Sequence, residues 1–212
     1  MQVKREDVKN KLMESARREF LEHGYTGASL RVIAEKAGLT KGAVYSYFFN
    51  KDALFGELAA PAVRFIERQF DPQNNDISKY KVMTDRYEAI IQDFKDYART
   101  VLAKHVSFKL LLFCAAGSSL QDYRERVIQL YAQSFKESIG LYMEEPSRLG
   151  RKVPAGTFSE MFIHTLANTY VSFLEEIVLH EPEDREVDDY AEQMAVFVHS
   201  GVEKLYCRQM SR

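Results

Sequence analysis

The sequence predicts an all-α protein in two parts, a small helix-turn-helix unit followed by a larger helical domain, and three observations carry that expectation. Apolar residues recur at helical spacing, with Val8, Leu12, Ala16 and Phe20 every four residues and Leu30, Ile33, Ala34 and Ala37 on one face. No stretch alternates convincingly as a strand. Between Gly24 and Leu54 a short helix, a glycine turn and a second short helix occupy about twenty residues, the spacing of a helix-turn-helix.

The elements follow in order. Gly24 and Gly38 each close a periodic segment, as a residue that reaches the left-handed region does, so three short helices fit before residue 50. Asn50 is a good N-cap, and a longer helix runs on through Asp52, Leu54, Phe55, Leu58, Ala62, Ile66 and Phe70. Pro61 lacks the amide hydrogen that would reach the carbonyl of Glu57, so it should bend or break this helix, as a hinge or as a static kink. Asp71 to Lys79 reads as a loop, and Pro146, Gly150, Pro154 and Gly156 punctuate a second one, with two or three helices between. Two long amphipathic segments follow from Thr157, separated near Pro182. We therefore divide the chain into a helix-turn-helix domain over 1–50 and a helical ligand-binding and dimerisation domain over 51–212.

Composition bounds the function. The 212 residues are 46% hydrophobic, enough for a substantial core. The N-terminus is charged, and the longest apolar run, Leu110 to Ala116, is far below the roughly 18 residues that span a bilayer, so no membrane partner and a cytoplasmic location are expected. Cys114 and Cys207 suggest buried or incidental thiols rather than a disulfide framework. The net charge of −2 hides an asymmetry: residues 1–56 hold 10 Lys/Arg against 7 Asp/Glu, a net +3, and the remainder 19 against 24, a net −5. A basic excess of that size attracts phosphates only weakly, so the local pattern must decide.

In that pattern Ser29 is placed to cap the first helix of the pair, Ala34 lets the helices cross closely, Gly38 makes the turn and Thr40 caps the second helix. Val44 and Phe48 are spaced to point inward, which leaves Lys41, Gly42, Ala43, Tyr45, Ser46 and Tyr47 outward. Their chemistry suits a major groove. Lys41 can reach a guanine edge or a phosphate, Ala43 a thymine methyl and Ser46 a base, while Gly42 permits close backbone approach. Tyr45, Tyr47 and Lys51 offer hydroxyls and a charge to phosphates.

These residues, with Phe20, Gly24 and Tyr25 before them and Leu54 after, resemble the DNA-binding domain of the TetR family of bacterial repressors. The resemblance covers about a quarter of the chain. It implies about nine helices, a palindromic operator in double-stranded DNA bound by a homodimer, and a final pair of helices forming an intersubunit four-helix bundle. It also implies phosphate or base contacts from Ser29 and Arg31, a recognition helix over Thr40 to Ser46, and phosphate contacts from Tyr47 and Lys51.

Beyond residue 56 the sequence supports coarser expectations. Aromatics in the middle helices, notably Phe94, Phe108, Phe113, Tyr131 and Phe135, with His164 and Asn168 as polar anchors, can wall a pocket for a small-molecule effector or pack as solid core. Met194, Phe197, Val198, Gly201 and Leu205 share one side of the last helix and can face the protein's own core or a second copy. The five histidines lack metal-ligand spacing, and no nucleophile, base and orienter, phosphate loop or cofactor motif occurs, so no catalytic, metal or cofactor site is expected. The expected function is a repressor released from its operator by a small apolar or aromatic ligand; the alternative is a ligand-independent DNA-binding or protein-recruiting member of the same fold.

Overall fold

The computed structural model describes residues 2–71, 87–148 and 158–210, which form nine α-helices and no strand. They are α1 (Gln2–Gly27), α2 (Leu30–Lys36), α3 (Lys41–Tyr45), α4 (Lys51–Phe70), α5 (Tyr87–Ala103), α6 (His105–Phe113), α7 (Tyr123–Arg148), α8 (Glu160–His180) and α9 (Asp184–Met210). The all-α architecture expected from the periodicity is therefore present. Residues 72–79 of the first expected loop, and Gly150, Pro154 and Gly156 of the second, lie outside the described residues.

Contacts divide the chain into two compact units, residues 1–66 with 104–124 and residues 67–103 with 125–212. The periodicity places a boundary at residue 50; by contacts, most of α4 and the whole of α6 join the first three helices.

In the first unit, Leu12, Ala16 and Phe20 of α1 and Ile33 and Ala34 of α2 are buried together with Val44 and Phe48. The four-residue spacing in α1 puts its three on one stripe, as the periodicity requires. Phe20 meets the edge of Phe55 at a centroid distance of 5.0 Å, and Tyr25 meets the same ring at 5.3 Å. The Ser15 hydroxyl donates to the Ile33 carbonyl at 2.8 Å and ties α1 to α2. Gly24, at φ +65°, interrupts the helical path near the end of α1. This first helix is long, not short as expected, because the charged segment before Val8 continues it.

Neither Pro61 nor Pro146 ends its helix. Helix α4 runs unbroken through Pro61, and α7 runs through Pro146 to Arg148. A helix loses one backbone hydrogen bond at an interior proline but keeps those on either side. In α4 the buried Leu58, Ala59, Ala62 and Ile66 continue the apolar stripe across the proline.

In the second unit α5 packs on α9. Ala98 and Val101 of α5 and Val187, Ala191 and Ala195 of α9 are buried, and small residues at this spacing let two helices approach closely. Ion pairs of Arg99 with Asp188 and of Lys95 with Glu192 join the same two helices at the surface. Helix α8 starts on Ser159, whose hydroxyl accepts from the amide of Phe162, and buries Ile163, Ala167, Val171, Phe173, Leu174, Ile177 and Val178.

Candidate nucleic-acid interface

Helix α2, the turn and α3 are built by local hydrogen bonds. The amide of Gly38 donates to the Glu35 carbonyl and that of Leu39 to the Ala34 carbonyl, with Gly38 at φ +70°, a conformation glycine adopts without steric cost. Thr40 then caps α3, its hydroxyl accepting from the amide of Ala43 at 3.2 Å. Val44 and Phe48 are buried, as their spacing predicts, and Lys41, Gly42, Tyr45 and Ser46 are exposed on the other side. Ala43 and Tyr47 are half-buried. The helical segment ends at Tyr45, with Ser46 as its C-cap and the Ser46 hydroxyl donating to the Ala43 carbonyl. Arg31 and Thr40 are exposed, and Arg31 lies beside Glu35 at 3.9 Å.

Ser29 occupies the N-cap position of α2, yet its side chain makes no cap hydrogen bond. Its amide donates instead to Glu19 Oε1 at 3.2 Å, and Lys36 donates to Glu19 Oε2 at 3.1 Å. Glu19 is only 2% exposed and so anchors both ends of α2 to α1. Burial pushes its pKa up, but the Lys36 ammonium and the Ser29 amide outweigh that and hold it below its ordinary value. Sequence reasoning missed this residue, because a glutamate at the edge of an apolar stripe looks like any solvated charge.

Lys51 also has partners within the protein. Its ammonium donates to the carbonyls of Tyr25 at 2.7 Å and Ala28 at 3.2 Å, and lies 4.3 Å from the centre of the Tyr25 ring. Two of its three N–H groups are thus spent on the end of α1, which makes it first a positioning residue. Asn50 caps α4 as predicted, its Oδ1 accepting from the amide of Ala53 at 2.7 Å.

The segment after α6 closes on the same region. The amide of Tyr25 donates to the Cys114 carbonyl at 2.8 Å and the Thr26 hydroxyl to the Ala116 carbonyl at 2.7 Å. The Ser119 amide donates to Asp52 at 2.9 Å, and hydrogen bonds from the Ser119 side chain and amide hold that carboxyl below its ordinary pKa. Burial and the adjacent Asp52 push the Tyr25 phenol upward.

The aromatics expected around a pocket separate between the units. Phe108 and Phe113 belong to the first unit, where Phe108 is fully buried near Phe65 and Phe113 is exposed. In the second unit Phe94, Tyr131 and Phe135 each meet Tyr170, at centroid distances of 5.5, 5.3 and 4.9 Å. The hydroxyls of Tyr97 and Tyr131 are 2.7 Å apart, and burial raises the Tyr97 pKa. Asn168 is half-buried, whereas His164 is exposed and outside this cluster. On α9, Phe197, Gly201 and Leu205 are exposed, Met194 is half-buried and Val198 is buried.

Among the described residues no group of His, Cys, Asp and Glu could hold a metal ion, and no helix is long and apolar enough to cross a membrane. A glycine-turned helix pair with an exposed polar face on its second helix, held on a small apolar core, defines a helix-turn-helix DNA-binding domain.

Residues 12–58 match the family profile described as bacterial regulatory proteins, tetR family. That match covers most of α1, the helix-turn-helix segment and the start of α4, and no more of the chain. It is 43% identical over 51 residues to the HTH-type transcriptional repressor AcnR of Corynebacterium efficiens, an alignment covering 24% of this chain and 27% of that protein. It is 36% identical over 72 residues to the HTH-type transcriptional regulator Mb1846 of Mycobacterium bovis, covering 34% and 31% of the two chains. The similarity thus spans about a third or less of these relatives. In fold, the chain resembles a Clostridium perfringens protein described as a fatty acid metabolism regulator, with a TM-score of 0.57 at 20% identity over 90% of this chain and 97% of that one. It also resembles the TetR family transcriptional regulator PfmR of Thermus thermophilus, with a TM-score of 0.55 at 19% identity over 90% and 94%.

Proposed function

We propose that this chain is a one-component transcriptional regulator, a repressor that binds a palindromic operator as a homodimer and leaves it when a small apolar or aromatic ligand binds. The observation that carries the DNA-binding part is the face of α3: Lys41, Gly42, Tyr45 and Ser46 lie exposed on it while Val44 and Phe48 fasten its back to the core. Lys41 and Ser46 read base edges, Ala43 and Gly42 allow close approach, and Ser29, Arg31, Thr40, Tyr45 and Tyr47 contact the backbone. Lys51 has one N–H left for a phosphate.

Dimerisation is supported by α9, where Phe197 is 71% exposed and Leu205 and Gly201 lie exposed on the same helix. The ligand site is assigned to the aromatic cluster of α5, α7 and α8, in which the Tyr97 and Tyr131 hydroxyls supply polar anchors among apolar walls. Release then requires the ligand to favour the conformation that binds DNA less well. The direct ring-to-ring contacts of that cluster favour a second reading, a solid core and a ligand-independent regulator.

Fluorescence anisotropy with a duplex selected from a random pool by the wild-type protein tests this. Selection should yield an inverted repeat, and Lys41→Ala should weaken binding, relax the preference at one base position and lower the salt slope by about one. Equal weak binding to selected and scrambled duplexes would refute sequence-specific regulation.

A further inference from the structure

We propose that Asp52 is a positioning residue for DNA binding, its carboxylate clamping together the two chain ends of the helix pair that carries the recognition face. This deepens the regulator reading and rests on it. Two residues separate the end of α1 at Gly27 from α2 at Leu30, and five separate α3 at Tyr45 from α4 at Lys51. Connections so short reach at most about 3.5 Å per residue, so the end of α1 and the start of α4 limit where α2 and α3 can stand. Asp52 lies in the first turn of α4 and binds toward both sides. Its carboxylate accepts from the Tyr25 hydroxyl, near the end of α1, and from the hydroxyl and amide of Ser119, the amide at 2.9 Å.

The surroundings hold this carboxylate to one geometry. The Tyr25 ring stacks on Phe20 and meets Phe55 edge to face, and the Tyr25 carbonyl accepts from Lys51, the neighbour of Asp52. The Tyr25 amide and the Thr26 hydroxyl donate to the Cys114 and Ala116 carbonyls, so the segment that carries Ser119 is bound to α1 at two further points. Gly117, at φ +87°, lets that segment pass so close that an added Cβ would stand 2.6 Å from Thr26 Oγ1. Three stretches of chain, far apart in sequence, thus meet at one carboxylate. These partners all lie off α3, so Asp52 acts on DNA through where the helices stand. Charge and position then predict opposite signs. Removing a carboxylate from a DNA-binding unit lessens its repulsion from phosphates and, on charge alone, tightens binding. Loosening the clamp lowers the fraction of protein in the binding geometry and raises the apparent Kd in proportion.

The test is anisotropy with the duplex selected by wild-type protein and with a scrambled duplex, for Asp52→Ala, Asp52→Asn and Tyr25→Phe, at a temperature where melting curves show each variant folded. Asp52→Ala should weaken binding to the selected duplex about tenfold, with binding to the scrambled duplex unchanged or tighter. Asp52→Asn keeps a carbonyl oxygen for the Ser119 amide and should lose no more than about threefold. Tyr25→Phe keeps the ring and loses the hydroxyl; it should also lose about threefold alone and nothing further in an Asp52→Ala background. Tighter binding of the selected duplex by both Asp52 variants would reveal a charge effect and overturn the proposal. Lowered melting temperatures with wild-type affinity would overturn it too, since a residue that only stabilises the fold behaves that way. Should Asp52→Ala not fold, Tyr25→Phe carries the test, and wild-type affinity in it overturns the clamp. Failure of the wild-type protein itself to select any duplex would refute the regulator reading and this proposal with it.

Discussion

Replacing Glu19 should loosen the helix-turn-helix at α2 without altering any residue on the exposed face of α3. In Glu19→Ala the Ser29 amide loses a charged acceptor at 3.2 Å, and Lys36 loses its partner at 3.1 Å. A hydrogen bond to a charged group is worth about 1.5–3 kcal/mol, whereas the ion pair to half-exposed Lys36 adds about 0–1 kcal/mol. The expected loss is therefore about 2–3 kcal/mol, a large share of a domain's marginal stability. Glu19→Gln keeps an acceptor for Ser29 and removes the charge, so it should lose only about 1 kcal/mol. Urea denaturation followed by circular dichroism measures both. A Glu19→Ala protein within about 0.5 kcal/mol of wild type, the range of an ordinary surface change, would refute the anchoring role.

The same residue predicts a pH dependence. Burial opposes ionisation, yet Lys36 and the Ser29 amide leave the folded-state pKa below the ordinary 4.5. A group with a depressed folded pKa binds more protons when unfolded, so its stabilisation is present above its unfolded pKa and is lost as pH falls through the lower folded value. The stability difference between wild type and Glu19→Gln should therefore hold at neutral pH and shrink below about pH 4. A difference that grew on acidification would reverse the assigned sign.

Two further perturbations probe how the unit is held. Gly117 sits at φ +87° with an added Cβ only 2.6 Å from Thr26 Oγ1, so Gly117→Ala should cost about 2–4 kcal/mol through backbone strain and the disturbed Thr26 hydrogen bond. In a Thr26→Ala background the obstructing atom is gone and the cost should drop by about 1 kcal/mol; strict additivity in denaturation would refute the clash. Lys51→Met removes a charged donor from the carbonyls of Tyr25 and Ala28 and should cost about 1–3 kcal/mol in the same assay. Unchanged stability would show that Lys51 does not position the end of α1.

What could be read from the sequence depended on whether the controlling interaction was local. The turn at Gly38, the Thr40 and Asn50 caps and the inward Val44 and Phe48 are all set by residues within four positions, and each lies where spacing places it. Glu19 and Lys51 act on partners 10 to 26 residues away, and no periodicity reports such a pairing. Phe49 escaped notice for a different reason. It follows a buried Phe48 in an aromatic run and is itself 88% exposed.

The division between units shows the same limit on a larger scale. A boundary near residue 50 follows naturally from where the helix-turn-helix ends, but the partners of Tyr25, Thr26 and Asp52 are Cys114, Ala116 and Ser119, contributed by a segment whose apolar run resembles core of any domain. Because residues 104–124 join the preceding and following chain of the second unit at both ends, they leave that unit covalently and return to it. Three chain crossings, at 66–67, 103–104 and 124–125, thus connect the two units where a simple tandem arrangement would have one. A first unit cut out as residues 1–66 would leave the Tyr25 amide, the Thr26 hydroxyl and the Asp52 carboxylate without the partners that this segment supplies. The helix-turn-helix unit is therefore completed by chain that sequence order assigns to the other domain, and the segment just after α6 holds the end of α1 and the start of α4 directly.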